Sequence, residues 1–224
     1  MSIQTIINNA QSIQIDRHKI SAYSISRSGH VKTQSRVSQI PWMFTVEMHP
    51  GLKYENNRVL LEELDRLDRV FEEEVNIGKS NPNLSWITAY RGTCTTAELS
   101  YATVNSIGTT NVTINVGNLR NAGATAADYL VRKGDYLSFG SDGTYRYPYT
   151  VLADTLVGSG STAVVSLNRP VITQAGYTIA GQPLRFGPNV SWRVKMLKPI
   201  SYNITPGRFI EFSDAIELIE IIQD

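Results

Sequence analysis

One amphipathic segment constrains the fold of this chain most, because it is the only long stretch with a helical period. Its apolar residues recur at steps of four, three and four, which places them on one stripe of a helix. The stripe consists of Leu60, Leu64, Leu67 and Phe71. Asn56 or Asn57 can cap the start and Gly78 follows the end, so the pattern predicts a helix over residues 57–75. Such a helix needs an apolar surface, which we take to be a β-sheet.

Most of the remaining chain alternates apolar and polar residues, as half-buried strands do. Residues 2–9 are predicted to form a short helical turn. Before the composition changes near Arg91, strands are predicted at 12–26, 31–38, 42–48 and 84–90. After it they are predicted at 97–106, 110–116, 134–140, 144–154, 162–168, 182–187, 190–197, 200–204, 208–212 and 215–222. A helix capped by Ser213 or Asp214 is the alternative for the last of these.

A change in composition predicts two structural parts. Residues 92–187 are rich in Gly, Ser, Thr and Ala and read as an inserted small antiparallel β-barrel. Residues 1–91 with 188–224 are predicted to form two packed antiparallel sheets flanked by the helix. The fold class is therefore mainly β, and deleting 93–186 is expected to leave a folded outer part. The predicted core of the insert contains Leu137, Phe139, Val151, Val164 and Leu167.

Composition excludes several classes of protein. A net charge of +1 gives no general reason to expect nucleic acid or membrane as a partner. No stretch approaches the roughly 20 apolar residues of a membrane span, and the N-terminus lacks the basic and apolar regions of a signal peptide. Cys94 is the only cysteine, so we expect a small apolar side chain in a reducing cytoplasm rather than a reactive thiol.

No set of residues points to catalysis. The three histidines, His18, His30 and His49, are far apart and none has metal-ligand spacing with another His, Cys or acid. The chain also contains no nucleotide-binding or hydrolase motif. We therefore expect neither an enzyme nor a bound metal or cofactor.

A row of tyrosines leaves two interpretations open. Tyr145, Tyr147 and Tyr149 share one face of a predicted strand. Such rows stack on sugar rings, which indicates a carbohydrate-binding accessory protein as an alternative function. The commoner interpretation is that the rings pack inside a small β-domain.

Five stretches of the sequence carry a resemblance to a known family: 41–54, 60–68, 133–139 with its Gly-Asp-Tyr sequence, 145–151, and 164–170 with its Leu-Asn-Arg-Pro sequence. They resemble the tail-tip and baseplate ring proteins of tailed bacteriophages. The resemblance implies a tail-tube-like fold and a structural ring, with six copies favoured, of the tube-initiator or distal-tail type. It implies a place in the virion tail after assembly in the host cytoplasm, with tail-tube and baseplate proteins as partners. Genome DNA would pass through the lumen without sequence-specific contacts.

Opposite charges on two groups of residues predict where ring subunits contact each other, since a ring needs a head-to-tail contact. The net charge is +3 over residues 1–50 and −4 over each of 52–75 and 200–224. The basic group is Arg17, Lys19, Arg27, Lys32 and Arg36, and the acidic group is Glu62, Asp65, Glu72, Glu211 and Glu217. Strands over 12–38 are also expected to pair with a neighbouring sheet edge. The alternative is that both groups are ordinary solvated faces.

Overall fold

The structure, a computed structural model, describes most of the chain. The described residues are 3–17, 21–25, 31–35, 41–67, 72–79, 81–140, 147–173 and 176–222. For residues 21–25, 31–35, 60 and 63–67, the structure describes the backbone only.

The described elements are mainly short antiparallel strands. In chain order the first nine are β1 (Ala10–Asp16), β2 (Ser21–Ile25), β3 (Val31–Ser35), β4 (Met43–Met48), β5 (Leu52–Lys53), β6 (Glu72–Val75), β7 (Thr103–Ile107), β8 (Asn111–Asn115) and β9 (Tyr129–Val131). The next nine are β10 (Tyr136–Phe139), β11 (Tyr149–Thr150), β12 (Thr155–Leu156), β13 (Thr162–Ser166), β14 (Leu184–Phe186), β15 (Trp192–Met196), β16 (Tyr202–Ile204), β17 (Phe209–Phe212) and β18 (Ile216–Glu220). The α-helices are α1 (Ile3–Asn8), α2 (Tyr54–Leu67), α3 (Thr96–Leu99) and α4 (Gly117–Asn121), with 3-10 turns at Ser85–Thr88 and Gly187–Asn189.

The outer part is organised around a five-stranded antiparallel sheet in the order β1-β4-β18-β15-β6. Its strands carry alternating apolar residues, and β18 buries every second side chain, as period-two patterning requires. The predicted helical turn at the N-terminus is confirmed as α1, whose Ile3, Ile6 and Ile7 are buried in the core of this sheet. A second outer sheet has the order β16-β17-β5, and β2 and β3 pair as a hairpin.

The inserted part has a core of its own, but the predicted closed barrel is wrong. Its strands form three open sheets, β13-β8-β7, β11-β10-β14 and β12-β9, and no barrel closes among the described residues. Several of these strands are only two or three residues long, and register shifts interrupt the β7–β8 and β12–β9 ladders. Closure needs a continuous ladder around the ring of strands, which such short strands do not supply.

The predicted core residues of the insert are confirmed with one exception. Leu137, Phe139, Val151 and Leu167 are buried in the inserted cluster. Val164 is 56% exposed, whereas its neighbours in β13, Ala163 and Val165, face the core. A strand of consecutive apolar residues does not reveal by itself which alternate set points inward.

Three predicted elements are corrected. The helix predicted over 57–75 is α2, which spans Tyr54–Leu67, while Glu72–Val75 is a strand. Of the predicted stripe, the side chains of Leu60, Leu64, Leu67 and Phe71 lie outside the described ones, as does the turn predicted at 27–30. The strand predicted at 84–90 is a 3-10 turn. The strand predicted at 97–106 begins instead with α3, because Thr95 and Glu98 form a reciprocal capping box.

The chain leaves and re-enters the outer part at adjacent points. A Cβ atom on Gly187 would lie 2.9 Å from the backbone nitrogen of Tyr90 and 3.0 Å from the carbonyl oxygen of Thr88. Gly187 also has a φ of +55°, which favours glycine. The two crossings therefore lie side by side, as one domain inserted into another requires.

Candidate assembly surfaces

A buried ion pair joins the inserted part to the outer sheet. Arg169 lies in the insert, and its guanidinium donates to both carboxylate oxygens of Glu220 in β18, at 2.6 and 2.7 Å. Both side chains are 1% exposed. Arg169 also donates to the carbonyl oxygen of Pro148 at 2.8 Å, and the backbone N–H of Trp42 donates to Glu220 at 3.0 Å. The carboxylate is thus held by partners from two separate stretches of the chain.

Aromatic rings surround this ion pair. Trp42 and Trp192 of the outer sheet contact each other edge to face with 6.0 Å between centroids. Tyr136 of the insert packs against both, at 5.8 and 5.7 Å. The Arg169 guanidinium lies 6.0 Å from the centroid of Trp42. The same guanidinium lies 5.3 Å from the ring centroid of Tyr149. We call these five residues together with Glu220 the seam, defined as Trp42, Tyr136, Tyr149, Arg169, Trp192 and Glu220.

Arg17, which is predicted to lie at the contact between subunits, makes contacts within its own chain. Its guanidinium donates to the hydroxyl of Thr150 in the insert and lies 5.3 Å from the Trp42 ring centroid. It therefore fixes the end of β1 beside the seam. Lys19, Arg27 and Arg36 lie outside the described residues, and Lys32 lies in β3, where the backbone is described.

The predicted acidic residues are mostly paired within the chain. Glu62 pairs with Arg58 at 3.2 Å, Glu72 with Arg193 at 2.5 Å and Glu217 with Lys198 at 2.9 Å. Glu211 is exposed in β17, and the side chain of Asp65 is outside the described ones. Among the side chains that the structure describes, the basic and acidic groups are not brought together, so their meeting between subunits stays a prediction.

The tyrosine row belongs to the core where it is described. Tyr147 is 5% exposed and Tyr149 is fully buried, so neither ring offers a face to a sugar. Tyr149 stacks on Phe139 with 4.9 Å between centroids, and its hydroxyl accepts from the backbone N–H of Ile172 at 2.9 Å. For these two residues the packing interpretation is therefore correct and stacking on a sugar ring is not. Tyr145 lies outside the described residues.

Cys94 is buried, and burial raises the pKa of its thiol to about 11. The thiol is consequently protonated at neutral pH, when it is a poor nucleophile. In the described part of the chain, no three His, Cys, Asp or Glu residues are grouped so that they could hold a metal ion. Within the same residues, no helix is long and apolar enough to span a lipid bilayer.

The two edges of the five-stranded sheet differ. At one edge, α1 covers the end of β6: the Gln4 amide donates to the carbonyl oxygen of Asn76 at 2.8 Å and accepts from its N–H at 2.6 Å. At the other edge, β1 pairs with β4 on one side, and no described strand pairs with its other side. Ile13 and Ile15 of β1 are only half-buried. The hairpin β2–β3 follows β1 directly and forms a separate two-stranded sheet.

The seam was missed by sequence reasoning, although β18 carries a signal for it. Ile216, Leu218 and Glu220 share one face of a strand, so an acidic residue occupies the third inward position. A charge at such a position needs a buried partner, but no residue near Glu220 in the sequence indicates that this partner is Arg169. No protein-family model matches the chain, and no curated protein matches it either.

Proposed function

We propose that this chain is a structural, non-enzymatic subunit of a bacteriophage tail tip or baseplate, and that its copies assemble into a ring. The observation that carries the proposal is the β1 edge of the five-stranded sheet. It is seven residues long and contains neither proline nor lysine, the residues by which soluble proteins commonly protect an edge. An edge of this kind is a template for another strand.

The geometry favours a head-to-tail contact over a symmetric pair of edges. β1 is one surface, and the β2–β3 hairpin, with two outer strand edges of its own, is a different one. Pairing β1 of one copy with the hairpin of the next joins unlike surfaces, which closes a ring when the rotation allows it. Backbone pairing and burial of Ile13 and Ile15 supply most of the affinity, because exposed ion pairs contribute only about 0–1 kcal/mol each.

The resemblance to phage tail-tip proteins supports the location and the partners. A mainly β chain built of antiparallel sheets agrees with it at the level of fold class. In this proposal the ring has six copies, lies in the virion tail between the tube and other baseplate proteins, and encloses a lumen that passes DNA. The inserted part contacts the outer sheet at the seam and presents its outer surface to the next component.

The edge is tested by adding lysine to it. Gln11→Lys together with Gln14→Lys changes two exposed residues of β1, and lysine opposes strand addition at an edge. In sedimentation-velocity runs at about 50 µM, a concentration above the micromolar Kd expected of a specific interface, the wild type should sediment as a ring and this variant as a monomer. Circular dichroism should show the same fold for both.

A matched variant controls for added charge. Thr162→Lys with Ser166→Lys adds the same charge at exposed residues of β13, in the insert. Its rings should persist. A wild type that remains monomeric, or rings that survive the change at Gln11 and Gln14, would contradict the proposal.

A further inference from the structure

A cleft of about 270 Å³ lies beside the beginning of β1. One wall is the end of β4 with the turn that follows it, and the other is the end of β17 with the segment that leads into β18. In the sheet, Met48 of this lining lies opposite Ala10 of β1, and Glu47 lies opposite Ser12. The volume is just below the roughly 300–1,000 Å³ of small-molecule sites, so a few side chains would fill it better than a whole small molecule.

The floor of the cleft is apolar and its rim is acidic. Met48 and Phe212 are half-buried against the core of the outer sheet, and Ile210 is 1% exposed. The described lining residues include one histidine and three carboxylates but no lysine or arginine. The carboxylates are exposed and belong to Glu47, Glu211 and Asp214.

The groups around this rim leave it net negative. Ser12 donates its hydroxyl to Glu47 at 2.7 Å, which orients the carboxylate but supplies no positive charge. Lys198 pairs with Glu217 at 2.9 Å and also interacts electrostatically with Asp214, so it offsets part of the charge there. Among the described side chains no three His, Cys, Asp or Glu residues could hold a metal ion. The cleft therefore suits the aliphatic stem and cationic head of separate lysine or arginine side chains.

The β2–β3 hairpin carries the opposite charge at its free end. Ile25 pairs with Val31, so the five residues that connect them, Arg27 among them, belong to one end of the hairpin. Lys32 follows Val31 directly in β3. The other end is joined to β1 and β4 of its own copy by short connections, whereas the end with Arg27 has no such tie and is available to a neighbour.

Strand addition at β1 brings this free end to the cleft. β1 begins beside the cleft and runs away from it. A β2 strand of a neighbouring copy that pairs antiparallel with β1 therefore runs towards the cleft and ends there with Ile25. Neighbouring strands lie about 4.8 Å apart, so the added strand is roughly 10 Å from β4. Extended glutamate and arginine or lysine side chains together span such a gap.

We propose that the cleft receives the free end of the hairpin of the next copy, with Arg27 and Lys32 at the acidic rim and their aliphatic stems on the apolar floor. This inference rests on the proposed ring and adds to it which strand pairs with β1 and in which direction. Charge then sets the register, because a shifted or inverted hairpin would withdraw its cations from the rim. A basic segment of a different protein is the competing occupant.

Two variants with opposite changes of charge test the contact. The cleft variant is Glu47→Lys with Glu211→Lys, and the hairpin variant is Arg27→Glu with Lys32→Glu. In sedimentation velocity each alone should need about tenfold more protein to form rings, since two attractive contacts become repulsive. An equimolar mixture should form rings as the wild type does, because every contact in an alternating six-copy ring then joins opposite charges.

A matched control separates the contact from net charge. Lysine at four exposed residues of the insert adds the same charge as the cleft variant and should leave assembly unchanged; they are Asn105, Leu152, Thr162 and Ser166. Circular dichroism should show the same fold throughout. In about 1 M salt, where the screening length falls to about 3 Å, the cleft and hairpin variants should approach the wild type.

The outcomes distinguish this inference from the ring itself. Wild-type rings together with unchanged assembly of the cleft variant would overturn the inference, leave the ring standing and leave the cleft to a basic segment of another protein. A mixture that fails to assemble, although both changes placed on one chain do so, would put the contact within a single chain and overturn it equally. A monomeric wild type would overturn both proposals.

Discussion

At the residue scale, Glu220 shows how a single charge joins two parts of the chain. Its carboxylate is fully enclosed, yet each oxygen receives a hydrogen bond from Arg169 and one also receives the N–H of Trp42. Desolvating two charges costs several kcal/mol, which such a pair repays only with good geometry. The pair is therefore better explained as fixing the orientation of the insert than as adding much net stability.

Removing both partners of this pair should cost less stability than the sum of the two single removals. Arg169→Met and Glu220→Gln should each lower the free energy of unfolding by about 3–5 kcal/mol, because each leaves a buried charge unpaired. The double variant should lose less than the sum of the two by at least about 1 kcal/mol. Urea unfolding followed by circular dichroism measures all four proteins.

An exposed pair provides the comparison for that cycle. Arg58 and Glu62 are 66% and 65% exposed and pair at 3.2 Å in α2. Arg58→Met and Glu62→Gln should each change the free energy of unfolding by less than about 0.5 kcal/mol. Additive effects of the changes at Arg169 and Glu220 would show that the buried contact is not energetically coupled.

At the element scale, α1 protects one edge of the main sheet. The side-chain amide of Gln4 both donates to and accepts from the backbone of Asn76, as a neighbouring strand would do. The backbone N–H of Ile3 also donates to Glu73 of β6 at 2.5 Å. An amphipathic helix with three buried isoleucines thus replaces a sixth strand at the β6 edge. Among the described strands of this sheet, β1 is thus the edge that has no neighbour on one side.

Shortening the Gln4 side chain should weaken the protection that α1 gives to the β6 edge. Gln4→Ala removes both hydrogen bonds to Asn76 and should lower the free energy of unfolding by about 1–3 kcal/mol, since it leaves part-buried backbone groups unsatisfied. Hydrogen exchange at the amide of Asn76 should accelerate correspondingly. Gln11→Ala, at an exposed glutamine of β1, is the control and should leave this exchange unchanged. Unaltered exchange in Gln4→Ala would mean that α1 does not protect the edge.

The spacing of apolar residues correctly predicted those helices and strands whose tertiary contacts agree with their local secondary-structure propensity. The strand at 42–48, the C-terminal strand and the N-terminal helical turn were correct because their apolar spacing matches their buried faces. Glu72–Val75 was predicted to be the end of the helix over 57–75, because Phe71 continues the apolar stripe. Glutamate is also a poor strand former. Tertiary contacts override that preference: Glu72 pairs with Arg193 on β15, and Glu74 accepts from the hydroxyl of Ser191.

At the scale of the whole molecule, composition predicted two parts but not the way they are joined. The buried apolar side chains indeed form two clusters, one within 94–186 and one from both flanking regions. The seam that links them depends on residues far apart in the chain, such as Arg169 and Glu220, so no local spacing reveals it.

The seam changes what is expected when the insert is removed. Deleting 93–186 and joining the ends with a short Gly/Ser linker takes away Tyr136, which covers Trp42 and Trp192. Each tryptophan is at most 1% exposed in the intact chain. Uncovering the faces of two large rings should cost several kcal/mol at about 25 cal/mol per Å², against a total stability of about 5–15 kcal/mol. The chain that remains after the deletion should therefore be only marginally stable rather than independently folded.

Tryptophan emission and urea unfolding distinguish the two outcomes. The deletion should shift emission to the red and lower the urea midpoint, because Trp42 and Trp192 become hydrated. Trp86 is 72% exposed in the intact chain and should contribute little to that shift, so Trp86→Phe serves as the common background for both proteins. The deletion also removes Arg169. Because water then solvates the Glu220 carboxylate, Glu220→Gln should not restore the stability of the shortened chain. A remnant with unshifted emission and an unchanged midpoint would show that the outer part needs no cover from the insert.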